Sequence, residues 1–221
     1  MSAAAAEPQG AADSRGAATT PNEEVVDVVF DLAATALSED HAGELLRQVL
    51  RFLPWLETEP GAGIHPLHGA PTTYGALLLP RRTKLSLRLP RRRAVDALAL
   101  TGRTLQIVDT MARVGDGQVR ALTAHAAVYS ALVVTGEENE SAFLEAVGSE
   151  LAGLGLRAEP VCGKRRRLRV AGRETVGFSL LLHELAPEAS LTIQRTGIGA
   201  HRALGCGIFV PHRLAAAVFT R

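Results

Sequence analysis

Apolar positions along the chain fall into alternating strand-like and helix-like blocks. Residues 25–37 (VVDVVFDLAATAL) are rich in β-branched side chains and predict an opening strand. Ser38, Glu39 and Asp40 then predict a helix start, with the serine as cap and two acids in the first turn. Ala42, Leu45, Leu46, Val49, Leu50 and Leu53 recur at helical spacing, and Pro54 closes the run. A loop over 57–71, punctuated by Gly and Pro, is followed by strands at 74–79 and 83–89 joined through a basic hairpin tip, Pro80-Arg81-Arg82. Ala94, Val95, Leu98 and Ala99 predict one face of a helix over 91–101 that stops at Gly102, with a short strand at 104–108. The order is β-α-β-β-α-β.

A second copy of that order follows. Residues 126–135 read as a strand, and Ala142, Phe143, Ala146, Val147, Leu151 and Leu154 form a helical stripe that ends near Gly153 and Gly155. Strands are expected at 156–162, 167–170 and 176–185, separated by basic and Gly-containing turns. A short helix is expected at 187–196, with Pro187 in its first turn, and a last strand at 208–211. The predicted fold is α+β, two ferredoxin-like halves resembling RNA-recognition motifs, over residues 23–118 and 119–221. Residues 1–22, rich in Ala, Gly, Ser, Thr and Pro without hydrophobic period, are expected to be a disordered leader.

Composition narrows the class. The 221 residues are 47% hydrophobic, which excludes a disordered protein. The longest uncharged apolar stretch, 121–136, is too short to span a membrane and is broken by His125, Tyr129 and Ser130. No basic patch precedes an apolar run at the N-terminus, so no secretory signal is read there. Cys162 and Cys206 make neither a disulfide framework nor a zinc set, so no metal is expected and the expected compartment is the cytoplasm. Net charge is +1, but residues 71–221 hold 21 basic against 12 acidic side chains, and 22 of the 24 basic residues in the chain are arginine. Arginine binds phosphate bidentately and stacks on bases, so nucleic acid is the first partner to test.

Gly197, Gly199, Gly205 and Gly207, with Arg202 between the pairs, make a loop whose amides can approach a phosphate closely. The alternative is a glycine-rich turn into a closing strand. A dinucleotide fingerprint would need glycine where Arg202 stands, and no Gly-Lys-Ser/Thr of a Walker loop occurs, so no nucleotide cofactor is expected.

The opening strand, Asp40-His41 with its helix ending Leu53-Pro54-Trp55-Leu56, Gly63-Ile64-His65-Pro66-Leu67, Leu85-Ser86-Leu87-Arg88-Leu89-Pro90 and the glycine-rich segment 190–211 together resemble a known family. It is that of the CRISPR-associated repeat-RNA endoribonucleases, the Cas six family, in its MYXAN-type branch. The resemblance covers roughly residues 25–213. It implies a tandem ferredoxin-like fold that binds the stem-loop of CRISPR repeat RNA and cuts the precursor without a metal, leaving a 5′-hydroxyl and a 2′,3′-cyclic phosphate. It further implies retention on mature guide RNA within a type I interference complex.

Such cleavage needs a base for the 2′-hydroxyl, an acid for the leaving 5′-oxygen and positive charge on the phosphorane. Histidine suits either proton role, and the family places its catalytic histidine in or just after the first helix. His65, on a loop before a strand, is the first choice; His41, at the helix start, and His68 are the others. His41 has a structural alternative as a helix-start residue bonding locally, and His68 as a solvated one. Many members pair the histidine with a tyrosine; Tyr74 is the candidate here, with a core strand tyrosine as its plainer reading.

Three basic clusters could line an RNA groove: Arg81, Arg82 and Lys84; Arg91, Arg92 and Arg93; and Lys164, Arg165, Arg166, Arg167 and Arg169 in a turn of the second half. His201 and Arg202 could join them beside the glycines. A single basic run is more often a solvated face. Trp55 reads as a core plug, and His125, His183 and His212 as structural. A non-catalytic RNA-binding subunit of the same fold is the competing function.

Overall fold

The computed structural model describes residues 24–170 and 172–213; the expected leader lies outside them. The first half runs β1 (Val25–Ala33), β2 (Ala36–Ser38), α1 (Ala42–Leu50), β3 (Gly63–Ile64), β4 (Ala70–Pro71), β5 (Ala76–Leu78), β6 (Lys84–Pro90), α2 (Ala94–Ala97), β7 (Thr104–Ile107) and β8 (Thr110–Ala121). The second runs β9 (Val128–Val133), α3 (Glu140–Gly153), β10 (Glu159–Val170), β11 (Arg173–His183), α4 (Pro187–Thr196) and β12 (Val210–Pro211).

Two sheets carry the tandem. Their orders are β3-β6-β1-β8-β7 and β10-β11-β9-β12, every adjacent pair antiparallel. Numbered within each half, the orders are 2-3-1-5-4 and 2-3-1-4, so both place the first strand centrally beside the third, with the second outside the third. That is the split β-α-β arrangement of a ferredoxin-like unit. The first half adds a small sheet, β2-β5-β4, as an excursion around α1 and β3.

Alternation explains the first core. Val26, Val28, Phe30 and Leu32 of β1 and Leu85, Leu87 and Leu89 of β6 are all buried against α1 and α2. Each such side chain contributes about 1.5–3 kcal/mol by leaving water. Gly117 of β8 is needed for this packing, because a Cβ there would come within 2.5 Å of the Phe30 ring. In the second core, Phe143, Val147 and Leu151 of α3 pack on Phe178, Leu180 and Leu182 of β11, with the Phe143 and Phe178 rings 4.8 Å apart.

Several expectations are corrected. Ser38 does not cap α1: it ends β2, its hydroxyl accepts from the Asp40 amide at 3.3 Å, and His41 occupies the N-cap position. The helix over 91–101 is one α turn between two 3-10 turns, so the buried face has period three: Ala94, Ala97 and Leu100 are inside, while Val95 is exposed. Residues 81–82 turn between the small sheet and the large one and are not a hairpin tip. β8 was not expected; it pairs along nearly all of β1 and carries the first half through Ala121. The expected strands at 156–162 and 167–170 are one strand, so the basic cluster 164–169 lies along the edge strand β10 instead of in a turn. No described helix is long and apolar enough to cross a membrane.

Candidate active site

The site is built on the face of the first sheet opposite its helices. Lys84, Ser86 and Arg88 alternate with the buried leucines of β6, and Asp27 of β1 stands directly across from Arg88 in register. Arg88 is fully buried. Its guanidinium donates from Nε to Asp27 Oδ1 at 2.8 Å, from one Nη to Oδ2 at 2.9 Å, and from the other to the carbonyls of Gln194 and Phe209. Those two carbonyls belong to the second half, so a guanidinium neutralised by Asp27 within the first sheet is also hydrogen-bonded across the seam.

His65 joins this network from the residue after β3. Its amide donates to the Ser86 carbonyl at 2.8 Å, and its Nε2–H donates to Asp27 Oδ1 at 3.0 Å. A carboxylate only accepts, so Nε2 carries the proton and Nδ1 of the neutral ring keeps its lone pair. Burial pushes the His65 pKa below its ordinary value; Asp27 opposes this, while Arg88 and Arg202 reinforce it. Burial is also the largest influence on Asp27, upwards, but the hydrogen bonds and charges of His65 and Arg88 together overcome it and hold the carboxyl well below the usual range. At neutral pH the lowered imidazole is uncharged, and Arg88 is the counter-charge of Asp27.

His41 approaches from the other side. Its Nδ1–H donates to the Ser38 carbonyl at 2.8 Å, which leaves Nε2 as the free nitrogen. His41 and His65 line one narrow pocket with Leu45, Leu67 and Leu204, a space for no more than a water-sized group. His65 also lines a wider open cleft of about 380 Å³ with His68, Arg82, Lys84 and Ser86. The structure therefore brings together three candidate histidines and two basic residues. Tyr74 is not a core strand residue: it stands 95% exposed on the turn between β4 and β5, without a hydrogen-bond partner among the described residues.

The glycine-rich segment packs inward at Gly197, Gly205 and Gly207, while Gly199 is exposed. The amides of Gly197, Gly199, Gly205 and Gly207 donate to Ile193 O, Glu150 Oε2, Arg202 O and Leu132 O, so all four have intramolecular partners. Positive φ and close approach account for these glycines: a Cβ at Gly207 would lie 2.2 Å from the Ile198 carbonyl oxygen. Arg202 also turns inward, donating to Gly61 O at 2.9 Å and Gln194 O at 3.1 Å, with Gly207 O at 3.5 Å. Burial pushes its pKa down to about 9, and it stays charged at neutral pH. Gln194 O lies in the last turn of α4, where two arginines meet the negative end of the helix dipole. Gly63 makes room for Arg202, since a Cβ would meet its Cγ at 2.7 Å. His201, in the left-handed region, is exposed beside this clasp.

The basic clusters differ among themselves. Arg91 pairs with Glu24, Arg92 and Arg93 grip the buried Glu59, and Arg93 stacks over Trp55 at 4.9 Å, so this cluster is tied into the first half. Lys84 pairs with Asp31, Arg165 with Glu138, Arg167 with Glu174, and Arg169 reaches Asp40, next to His41, at 3.9 Å. Arg81, Arg82, Lys164 and Arg166 have no ion-pair partner among the described residues. Asp27, Arg88 and Gln194 are site residues the sequence reading missed. The only signal was a charged residue inside each apolar run, Asp27 in VVDVVF and Arg88 in LSLRLP. The described residues contain no cluster of three or more His, Cys, Asp or Glu disposed to hold a metal ion.

Two ferredoxin-like halves clasped back to back, with histidines at the seam and a basic edge strand, define a tandem RNA-recognition-type scaffold. The chain matches the Cas6 Crispr family over residues 26–214. It is 34% identical over 194 residues to the CRISPR-associated endonuclease Cas6 of Myxococcus xanthus (strain DK1622), covering 87% of this chain and 84% of that protein. The chain belongs to the Cas6 family of CRISPR-associated endonucleases. Solved structures repeat the fold. A CRISPR-associated protein Cas6 superposes with a TM-score of 0.60 at 11% identity, covering 86% of this chain and all of that one. A Cas6-related protein of Pyrococcus furiosus superposes with 0.58 at 13% identity, covering 84% of this chain and 97% of that one.

Proposed function

We propose that the chain is the endoribonuclease that binds the repeat stem-loop of a CRISPR precursor transcript and cuts it into guide RNA. In this reading the 2′-hydroxyl at the cut attacks the adjacent phosphorus, the 5′-oxygen leaves, and the products carry a 2′,3′-cyclic phosphate and a 5′-hydroxyl; no metal ion takes part. The observation that carries the reading is the position of His65, whose ring is held by Asp27 and borders both the cationic cleft and the pocket it shares with His41. Held neutral by burial, His65 takes the 2′-hydroxyl proton on Nδ1, because Nε2–H is committed to Asp27. His41 acts as the acid, giving a proton from Nε2 to the 5′-oxygen as its bond to phosphorus breaks. Arg82 and Lys84 meet the charge that develops on phosphorus, and the edge strand β10 holds the RNA backbone by phosphate contacts. The protein then stays with the mature guide RNA in a type I interference complex.

The family membership supports the nuclease, and a Cas6 product complex shares the fold with a TM-score of 0.52 at 15% identity, covering 86% of this chain and 99% of that one. The test is incubation with labelled repeat RNA in EDTA, with end-group analysis of the products. A single cut leaving a cyclic phosphate is expected. His65→Ala and His41→Ala should each slow cleavage by roughly 10²–10⁴-fold with hairpin affinity retained. Tight binding without a cut would make the chain a non-catalytic RNA-holding subunit, and unchanged cleavage in His65→Ala would remove that residue from the chemistry.

A further inference from the structure

Tyr74 is the most exposed large apolar side chain among the described residues, and no hydrogen bond or ring contact engages it. Its backbone, by contrast, is fixed. The turn is closed by Thr72 N–H to Ala76 O at 2.8 Å and by the Ala76 amide to Thr72 Oγ1 at 3.1 Å. The Glu39 amide donates to Gly75 O at 2.9 Å, and Ala76 pairs in register with Ser38. Ser38 is the residue whose carbonyl orients His41, and Asp40 between them is reached by Arg169 from the end of β10. A tyrosine ring is therefore presented to solvent on a rigid turn, at the point where the basic edge strand meets the catalytic histidine.

We propose that Tyr74 is a stacking platform for one unpaired base of the bound RNA, beside the scissile phosphate. The inference rests on the reading in the preceding subsection and assigns within it a base-contacting residue. An aromatic face accepts any base and adds affinity where phosphate contacts on β10 supply only position. The other tyrosine, Tyr129, is half-buried with its ring 5.6 Å from His212 and is not presented in this way. Because the Tyr74 hydroxyl has no partner among the described residues, the ring and not the oxygen is the working part.

The experiment uses repeat RNA with the 2′-hydroxyl at the cut replaced by hydrogen and 2-aminopurine placed in turn at the unpaired positions flanking it. Wild-type protein should quench the probe at one position. Tyr74→Ala should lose that quench and weaken Kd about tenfold, while Tyr74→Phe and Tyr74→Trp keep both. Wild-type quench and Kd in Tyr74→Ala would overturn the proposal, and so would loss of quench and affinity in Tyr74→Phe, which would assign the contact to the hydroxyl and not to the ring. Failure of the wild-type protein to bind repeat RNA at all would overturn both this assignment and the function on which it rests.

Discussion

The arginines at the seam between the halves and those along β10 are the same side chain in opposite surroundings. Arg88 and Arg202 spend their donors on Asp27 and on carbonyls of Gly61, Gln194, Gly207 and Phe209, groups that would otherwise be left bare at a buried junction. Arg165, Arg166, Arg167 and Arg169 stay exposed on an edge strand, their pairs with Glu138, Glu174 and Asp40 open to water. The first group holds the fold and aims His65. The second guards an unpaired strand edge against pairing with another chain and, in the proposed function, offers charge to a phosphate backbone. Charge count alone therefore overstates the RNA-binding surface, since only arginines whose donors are unspent can change partner at low cost.

Arg88→Met tests the buried side of that contrast most severely. It leaves the Asp27 carboxylate without its counter-charge and should cost about 3–5 kcal/mol in urea unfolding. The double variant Asp27→Asn/Arg88→Met should lose less than the single one. Stability left unchanged by Arg88→Met would break the comparison outright. Arg202→Ala comes next, at about 1–3 kcal/mol for the carbonyls it strips, and Arg202→Lys should not restore it, because an ammonium cannot span three acceptors in a plane. An effect of Arg202→Ala on RNA affinity that survives correction for the unfolded fraction would return this residue to the RNA surface.

On the exposed side, changing Arg165, Arg166 and Arg167 together to Ala should leave the unfolding midpoint in place. It should weaken repeat-RNA binding and reduce the slope of log K against log salt by about 2, given roughly 0.7–0.9 per phosphate contact. An unchanged slope would put the backbone track elsewhere. The smallest expected effect is on pH. Folding lowers the His65 pKa, so the unfolded chain binds the extra proton and stability falls as pH drops below about 6.5. Asp27, depressed in the folded state, adds a second loss as pH falls below about 4. His65→Gln, whose amide can still donate to Asp27, should flatten the upper of these two declines, measured by urea unfolding between about pH 8 and pH 5.5.

Much of this architecture was legible from periodicity. α1, β6 and α3 follow from their apolar runs and spacing, β1 from its β-branched side chains and α4 from Pro187 in its first turn, and the doubling of β-α-β-β-α-β follows from their order. Period failed where it was locally ambiguous: Gly115 and Gly117 interrupt β8, and Gly117 lacks a side chain because a Cβ would meet the Phe30 ring, a contact made across the sheet. It failed also at 91–101, where a 3-10 winding replaced period 3.6 by period three. Of the candidate site, His65, His68, Arg82 and Lys84 do share one cleft, and His41 shares a pocket with His65. Arg202, Gly197, Gly205 and Gly207 have their donors directed into the protein, and the Gly199 amide bonds the exposed Glu150 carboxylate.

What the sequence determined alone is which residues lie on each side of a strand. KLSLRLP places Lys84, Ser86 and Arg88 opposite the leucines whatever the rest of the chain does, because successive strand side chains point to opposite faces. What only the tertiary structure decided is which polar face meets water and which meets the second half. Arg88 became a buried clasp because the carbonyls of Gln194 and Phe209 come to it from more than 100 residues away. Arg166 stayed a surface charge because β10 is an edge strand with water on its open side. Local alternation carries no information on that outcome, since burial of a polar face is set by long-range docking.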